Sequence, residues 1–286
     1  MIEESRKLEI LAVAYGLKKS YLKNEEIIEN YGVLFSTYRK MLENDSSNFF
    51  IDAKDKEKIC LSLDSSIRAL GTNEKGLQRE LAQLKKGDRT SYILLGQPII
   101  IPSKERQTKS HCVGIVIYKN EKEDFSVYLV DKNKTFEIPK IKNHSVVNHI
   151  TISKKQINKF TKLIAENKIV TEVTSKNEKF LEQLFKLAKN EITPINIKMS
   201  QQVVDNCYIK EIEAAFKVSL FHCKKDIDSL SMSVTPKWND LPDSTLKMRE
   251  KFKDALKEQH SEVFNKKCDE LYAISKNLKN EINETV

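Results

Sequence analysis

Ser110-His111-Cys112-Val113-Gly114-Ile115-Val116-Ile117-Tyr118, a charged turn, and Phe125-Ser126-Val127-Tyr128-Leu129-Val130-Asp131 make up the stretch on which the fold depends. Both runs are dominated by β-branched and aromatic residues, and the linker Lys119 to Asp124 is polar, so they read as a hairpin. A His then heads one strand and an Asp ends the next, 131 − 111 = 20 positions later. Strand, turn and strand bring such a pair back alongside each other.

Upstream, Tyr92-Ile93-Leu94-Leu95-Gly96 and Pro98-Ile99-Ile100-Ile101-Pro102 read as two short buried strands parted by breakers. Downstream, Phe136 to Pro139 and Val146 to Ile152 read as edge strands, and Pro194 to Lys198 as the last strand. Helical spacing fills the rest. Residues 1–45 carry it, with breaks expected at Gly16, Asn24 and Gly32, and Lys56 to Leu84 carry it around a break at Gly71-Thr72-Asn73. Residues 153–190 are helical and basic, with nine Lys against four Glu. At the C-terminal end Ser244 is expected to cap one long charged helix whose seam is Phe252, Leu256, Val263, Leu271, Ile274 and Leu278. Strands in the middle and helices at both ends give an α+β chain with a small central mixed or antiparallel sheet. The expected organisation is a helical N-terminal region (1–90), a core (91–235) with a helical insertion (153–190), and a C-terminal helical arm (236–286).

The second decisive stretch is Gln201-Gln202-Val203-Val204-Asp205-Asn206-Cys207-Tyr208, followed by helical spacing from Ile209 to Leu220. Asp205 and Asn206 are good N-caps, which puts Cys207 in the first turn of a helix. The positive end of a helix dipole favours thiolate over thiol there. An amide just upstream, Gln201 with Gln202 as its competitor, can donate to a developing oxyanion. His111, Asp131, Gln201 and Cys207 thus form a candidate constellation for a thiol nucleophile: a ring that takes the proton, and an acid that orients the ring.

Bulk properties fit that reading. The chain has 286 residues, 40% of them hydrophobic and 31% charged, enough to bury a sizeable core. Net charge is +8, with Lys interleaved with Glu, which suits solubility first and acidic partners second. Aromatic-basic RNA-reading motifs are missing. The five cysteines are odd in number and form no C-x-x-C pair, and His144, His149, His222 and His260 show no ligand spacing, so neither disulfides nor a metal is expected. The N-terminal run MIEESRKLEILAVAYGLKKSY mixes charges into its apolar residues, so no signal peptide is expected.

The order His, Asp, Gln, Cys, with His leading a strand and Cys opening a helix, resembles the Ulp-type (adenain-like, CE clan) cysteine peptidases. That clan also holds bacterial deubiquitinase effectors and the YopJ-type acetyltransferases. The resemblance covers roughly residues 91–222. It implies Cys207 as nucleophile, His111 as general base, Asp131 as orienting acid and Gln201 in the oxyanion hole. Two positions depart from the pattern: Cys112 stands where the clan usually has an aromatic residue, and Tyr208 where it usually has Gly. The implied function is a thiol isopeptidase or protease acting on ubiquitin or a ubiquitin-like modifier, without cofactor, nucleic acid or membrane insertion. The composition, rich in Lys, Asn and Ile, suggests an AT-rich genome and, with the clan's habits, a secreted bacterial effector working in host cytoplasm. One alternative is a YopJ-type acetyltransferase using acetyl-CoA and inositol hexakisphosphate, disfavoured because no short stretch gathers cations beyond Lys154-Lys155 and because Asp131 replaces that branch's usual Glu. The other is a catalytically dead member that binds a partner, which Tyr208 and the long C-terminal helix favour.

Overall fold

The computed structural model describes residues 2–18, 26–101, 109–132, 145–167, 179–199, 206–230, 235–258 and 260–284. Four helices come first: α1 (Ile2–Ala14), α2 (Ile27–Glu43), α3 (Ala53–Leu70) and α4 (Glu74–Ala82). The strands β1 (Tyr92–Ile101), β2 (Lys109–Lys119), β3 (Phe125–Val130) and β4 (Val147–Ile152) follow. Next are α5 (Ile157–Glu166), α6 (Phe180–Leu187), β5 (Thr193–Ile195) and α7 (Cys207–Lys224). Two helices close the chain, α8 (Ser244–Lys257) and α9 (Glu262–Glu284). Among the described residues no helix is long and apolar enough to cross a membrane.

The sheet is antiparallel throughout, in the sequential order β1-β2-β3-β4-β5. β2 and β3 form the hairpin expected from their composition, and β3 is buried along its whole length. Gly96 and Pro98, read as breakers, do not split β1, which runs unbroken over ten residues. Their tolerance has a topological cause. β1 is an edge strand with β2 on one side only, and an edge accepts a proline's missing N–H. At Gly96 the ring of Tyr31 fills the space a side chain would take, so the glycine admits α2 rather than a turn.

α7 is the element around which the helices assemble. Every residue from Tyr208 to His222 is buried, charged residues included, so its cover is wider than the single stripe its spacing implies. It lies on β1, β2 and β3. From the other side, the Tyr38 ring of α2 stacks on Phe216 at 4.4 Å, and Phe252 of α8 packs on Tyr38. One hydrophobic cluster therefore runs from Ile10 through the sheet to Phe264 and Cys268.

Several helix expectations change. Gly32 lies inside α2, where nothing crowds the position a Cβ would occupy; the helix's buried residues on both sides hold it together. Ser244 is the first residue of α8, whose N-cap is Asp243 in a left-handed conformation. The C-terminal segment breaks between Lys257 and Glu262 into two helices, which rotates the seam. Phe264, Cys268, Leu271 and Tyr272 turn inward, whereas Val263 (66% exposed), Ile274 (51%) and Leu278 (45%) face outward. The strand expected at Phe136 to Pro139, the break at Asn24 and the middle of the basic segment lie outside the described residues.

Candidate active site

β2, the end of β3 and the first turn of α7 converge on one spot. His111 pairs with Ile99 near the start of the β1–β2 register, and β3 ends one residue before Asp131. The pleat and the short turn after Lys119 fold the two back together: His111 Nε2 lies 3.0 Å from Asp131 Oδ1. Both are buried, Asp131 completely. Cys207 opens α7 beside the same ring, near enough to raise the ring's affinity for its proton. Three side chains spread over 96 positions of sequence (207 − 111) thus meet at one spot: thiol, imidazole, carboxylate.

Burial opposes a charged ring at His111. The hydrogen bonds to Asp131 and Cys207 and their electrostatic pull more than compensate, raising it to about 10. The ring therefore holds a proton at neutral pH and can give it to a leaving group. Cys207 is half-buried, whereas the ring behind it is buried. Asn206 is the N-cap residue, as read from the sequence, but its side chain does not cap. It donates from Nδ2 to the Val13 carbonyl (2.8 Å), tying the start of α7 to α1. Gln201, Gln202 and Asp205 lie outside the described residues, so the proposed oxyanion amide has no described position. Tyr208 is buried.

The depth of the site is set by Gly114. A Cβ there would meet Ala215 Cβ at 2.5 Å and the Glu211 carbonyl oxygen at 2.6 Å. Only glycine lets α7 lie this close to β2, and this approach carries Cys207 toward His111.

Sequence reading missed Glu211, one helical turn after Cys207. Its carboxylate is fully buried, and Oε2 accepts the Lys132 backbone N–H at 2.9 Å. His111, Asp131 and Glu211 each offer a donor atom, and all three atoms lie within 4.8 Å of one another. Nε2 and Oδ1 are already joined in a hydrogen bond and Oε2 holds a backbone N–H, so the group reads as a proton-sharing cluster and no metal ligand is assigned to it. A glutamate at the fourth position after a helix-opening cysteine is the signal the sequence offered, since i and i+4 share a helix face.

The second missed feature is a lysine-rich cavity of ≈ 250 Å³ between α7 and α8, bordered by Lys132, Lys198, Lys210, Lys217 and Lys237, with Glu213 and Asp243 also on its wall. Glu213 lies between Lys210 (2.6 Å) and Lys217 (2.5 Å) and is held well below the usual carboxylate range, against its burial, by these cations. Burial, with Arg249 and Lys217 nearby, outweighs Glu213 and pulls Lys210 down to about 7. The cations that converge come from four segments distant in sequence. Lys154 of the basic segment instead pairs with Glu123.

The remaining cysteines, Cys60, Cys112, Cys223 and Cys268, are all free, and the first two and Cys268 are buried. Comparison with known proteins returns no relative: no family model, no curated protein and no solved structure matches the chain.

Proposed function

We propose that this protein is a thiol enzyme of acyl groups in which Cys207 attacks a carbonyl carbon. The observation that carries the reading is the buried His111–Asp131 pair at 3.0 Å with Cys207, at the start of α7, beside the same ring. In the first half-reaction the Cys207 sulfur bonds to the carbonyl carbon, and the ring, having taken the thiol proton, returns it to the leaving group. In the second, an acceptor gives its proton to His111, attacks the thioester and restores the thiol. Asp131 holds the ring and balances its charge in both. Gln201 and a backbone N–H near Cys207 are the proposed oxyanion donors. With water as acceptor and the C-terminus of ubiquitin or a ubiquitin-like modifier as acyl donor, the enzyme is an isopeptidase of a secreted bacterial effector type.

A specific observation favours the second reading, acyl transfer from acetyl-CoA. The sequence argued against it for want of converging cations, and the cavity gathers Lys132, Lys198 and Lys237 around the Lys210–Glu213–Lys217 group, beside the nucleophile's own helix. Such a site suits a polyphosphate such as inositol hexakisphosphate.

Two parallel measurements on the same preparation test both. Electrophilic ubiquitin, SUMO and Nedd8 probes should label wild type and not Cys207→Ala if the enzyme is the isopeptidase. Intact mass after acetyl-CoA with inositol hexakisphosphate should show one acetyl adduct, lost in Cys207→Ala, if it is the transferase. No adduct in either arm would leave the partner-binding reading and overturn the thiol-enzyme proposal.

A further inference from the structure

We propose that Glu211 is a fourth member of the site, a positioning residue that anchors the chain just past Asp131 and sets how much negative charge His111 faces. The inference rests on the thiol-enzyme reading above for its meaning, though its test does not depend on any acyl substrate. Three observations carry it. First, Oε2 accepts the Lys132 N–H at 2.9 Å, which fixes the backbone directly after Asp131 and with it the carboxylate that holds the ring. Second, the other oxygen, Oε1, is buried with no hydrogen-bond partner among the described residues, and a buried carboxylate oxygen without a donor is costly unless the group carries a proton. Third, one of its carboxylate oxygens lies within 4.8 Å of polar atoms of both His111 and Asp131, so two acids and one ring share a buried space.

That space has a simple charge logic. One buried carboxylate balances one imidazolium; a second would be uncompensated. Burial, then repulsion from Asp131, push Glu211 up to about 8, against the Lys132 N–H and the positive charges of His111 and Lys132. The groups around it that carry charge or protons are His111 and Cys112 on β2, Asp131 and Lys132 after β3, and Cys207 on its own helix. Near neutral pH Glu211 is a carboxylic acid and Asp131 is the carboxylate that His111 faces. Above about 8 Glu211 adds a second carboxylate, and the ring holds its proton more tightly. A ring that will not release its proton cannot protonate a leaving group, so turnover falls on that limb.

The test reads the ring itself. The His111 imidazole is followed by nuclear magnetic resonance across pH 5–11 in wild type and Glu211→Gln, with His111→Gln assigning the signal. Gln keeps an acceptor for the Lys132 N–H but cannot ionise. In wild type the His111 signal should show an extra step near pH 8, and in Glu211→Gln that step should vanish and the ring should lose its proton at a pH lower by one unit or more, a tenfold fall in proton affinity. A wild-type curve without the step overturns the proposal, as does a folded Glu211→Gln whose curve superimposes on wild type. Neither result bears on whether Cys207 reacts with acyl donors, so the two proposals fail separately.

Discussion

Gly114→Ala places one methyl group where the sheet and the nucleophile helix touch. Ordinary contact begins at 3.4 Å and the new Cβ would lie 2.5 Å from Ala215 Cβ, so the elements must part by 3.4 − 2.5 = 0.9 Å. The second obstacle, the Glu211 carbonyl oxygen at 2.6 Å, is backbone and cannot rotate away. α7 is packed on its outer side by Tyr38 against Phe216, so it has little room to retreat. Overpacking of this kind costs about 1–3 kcal/mol of stability. The larger effect is on chemistry: the displaced segment carries Cys207 and Glu211 while β2 carries His111, and a misplacement of ~1 Å costs on the order of 10²-fold in rate. Urea denaturation gives the first quantity, and the rate of Cys207 alkylation by iodoacetamide, followed by intact mass, gives the second. A Gly114→Ala protein that unfolds at the wild-type urea concentration and is alkylated at the wild-type rate would refute the close approach of α7 to β2.

Other expectations follow from the same structure. Iodoacetamide at neutral pH should add one group rapidly, at Cys207, because burial pushes Cys60 and Cys268 up to about 11, Cys223 to about 12 and Cys112 well above the usual thiol range; Cys207→Ala should lose that adduct, and fast labelling elsewhere would contradict the assignment. Asp131→Asn should lower whichever acyl activity is found by about 10²–10⁴-fold, since the ring loses its orientation and its counter-charge, and a loss below fivefold would remove Asp131 from the site. His111 is raised from 6.5 to about 10 on folding, so its contribution to stability is fully present below pH 6.5 and is lost as pH rises through 10. The stability gap between wild type and His111→Gln should shrink over that window, and a gap that widens would reverse the sign of the argument. Glu213→Gln leaves Lys210 and Lys217 buried without their shared counter-charge and should destabilise the fold by about 3–5 kcal/mol in urea titrations, with inorganic phosphate in the lysine cavity restoring part of it.

What could be read from the chain by itself was local. Runs of β-branched and aromatic residues around a polar turn fixed the β2–β3 hairpin, which put His111 and Asp131 within reach, and helical spacing behind Asn206 put Cys207 at a helix start. The break expected at Gly71-Thr72-Asn73 is present, and Asn73 begins the next helix as its chemistry dictates, with its side chain accepting from Gly76 N. Tertiary structure decided whatever depended on neighbours. Gly96 and Pro98 are breakers in isolation and harmless on an edge strand, because the ladder does not need that N–H. Val263, Ile274 and Leu278 made a plausible seam until the break after Lys257 turned them outward, since a helix's phase is lost wherever the helix stops. Glu211, Glu213, Lys210 and Lys217 look like an ordinary solvated face of alternating charges. They became a buried proton cluster and a cation-lined cavity only because α7 is covered on all sides, and burial is a property of what packs against a residue, which its own sequence neighbours do not encode.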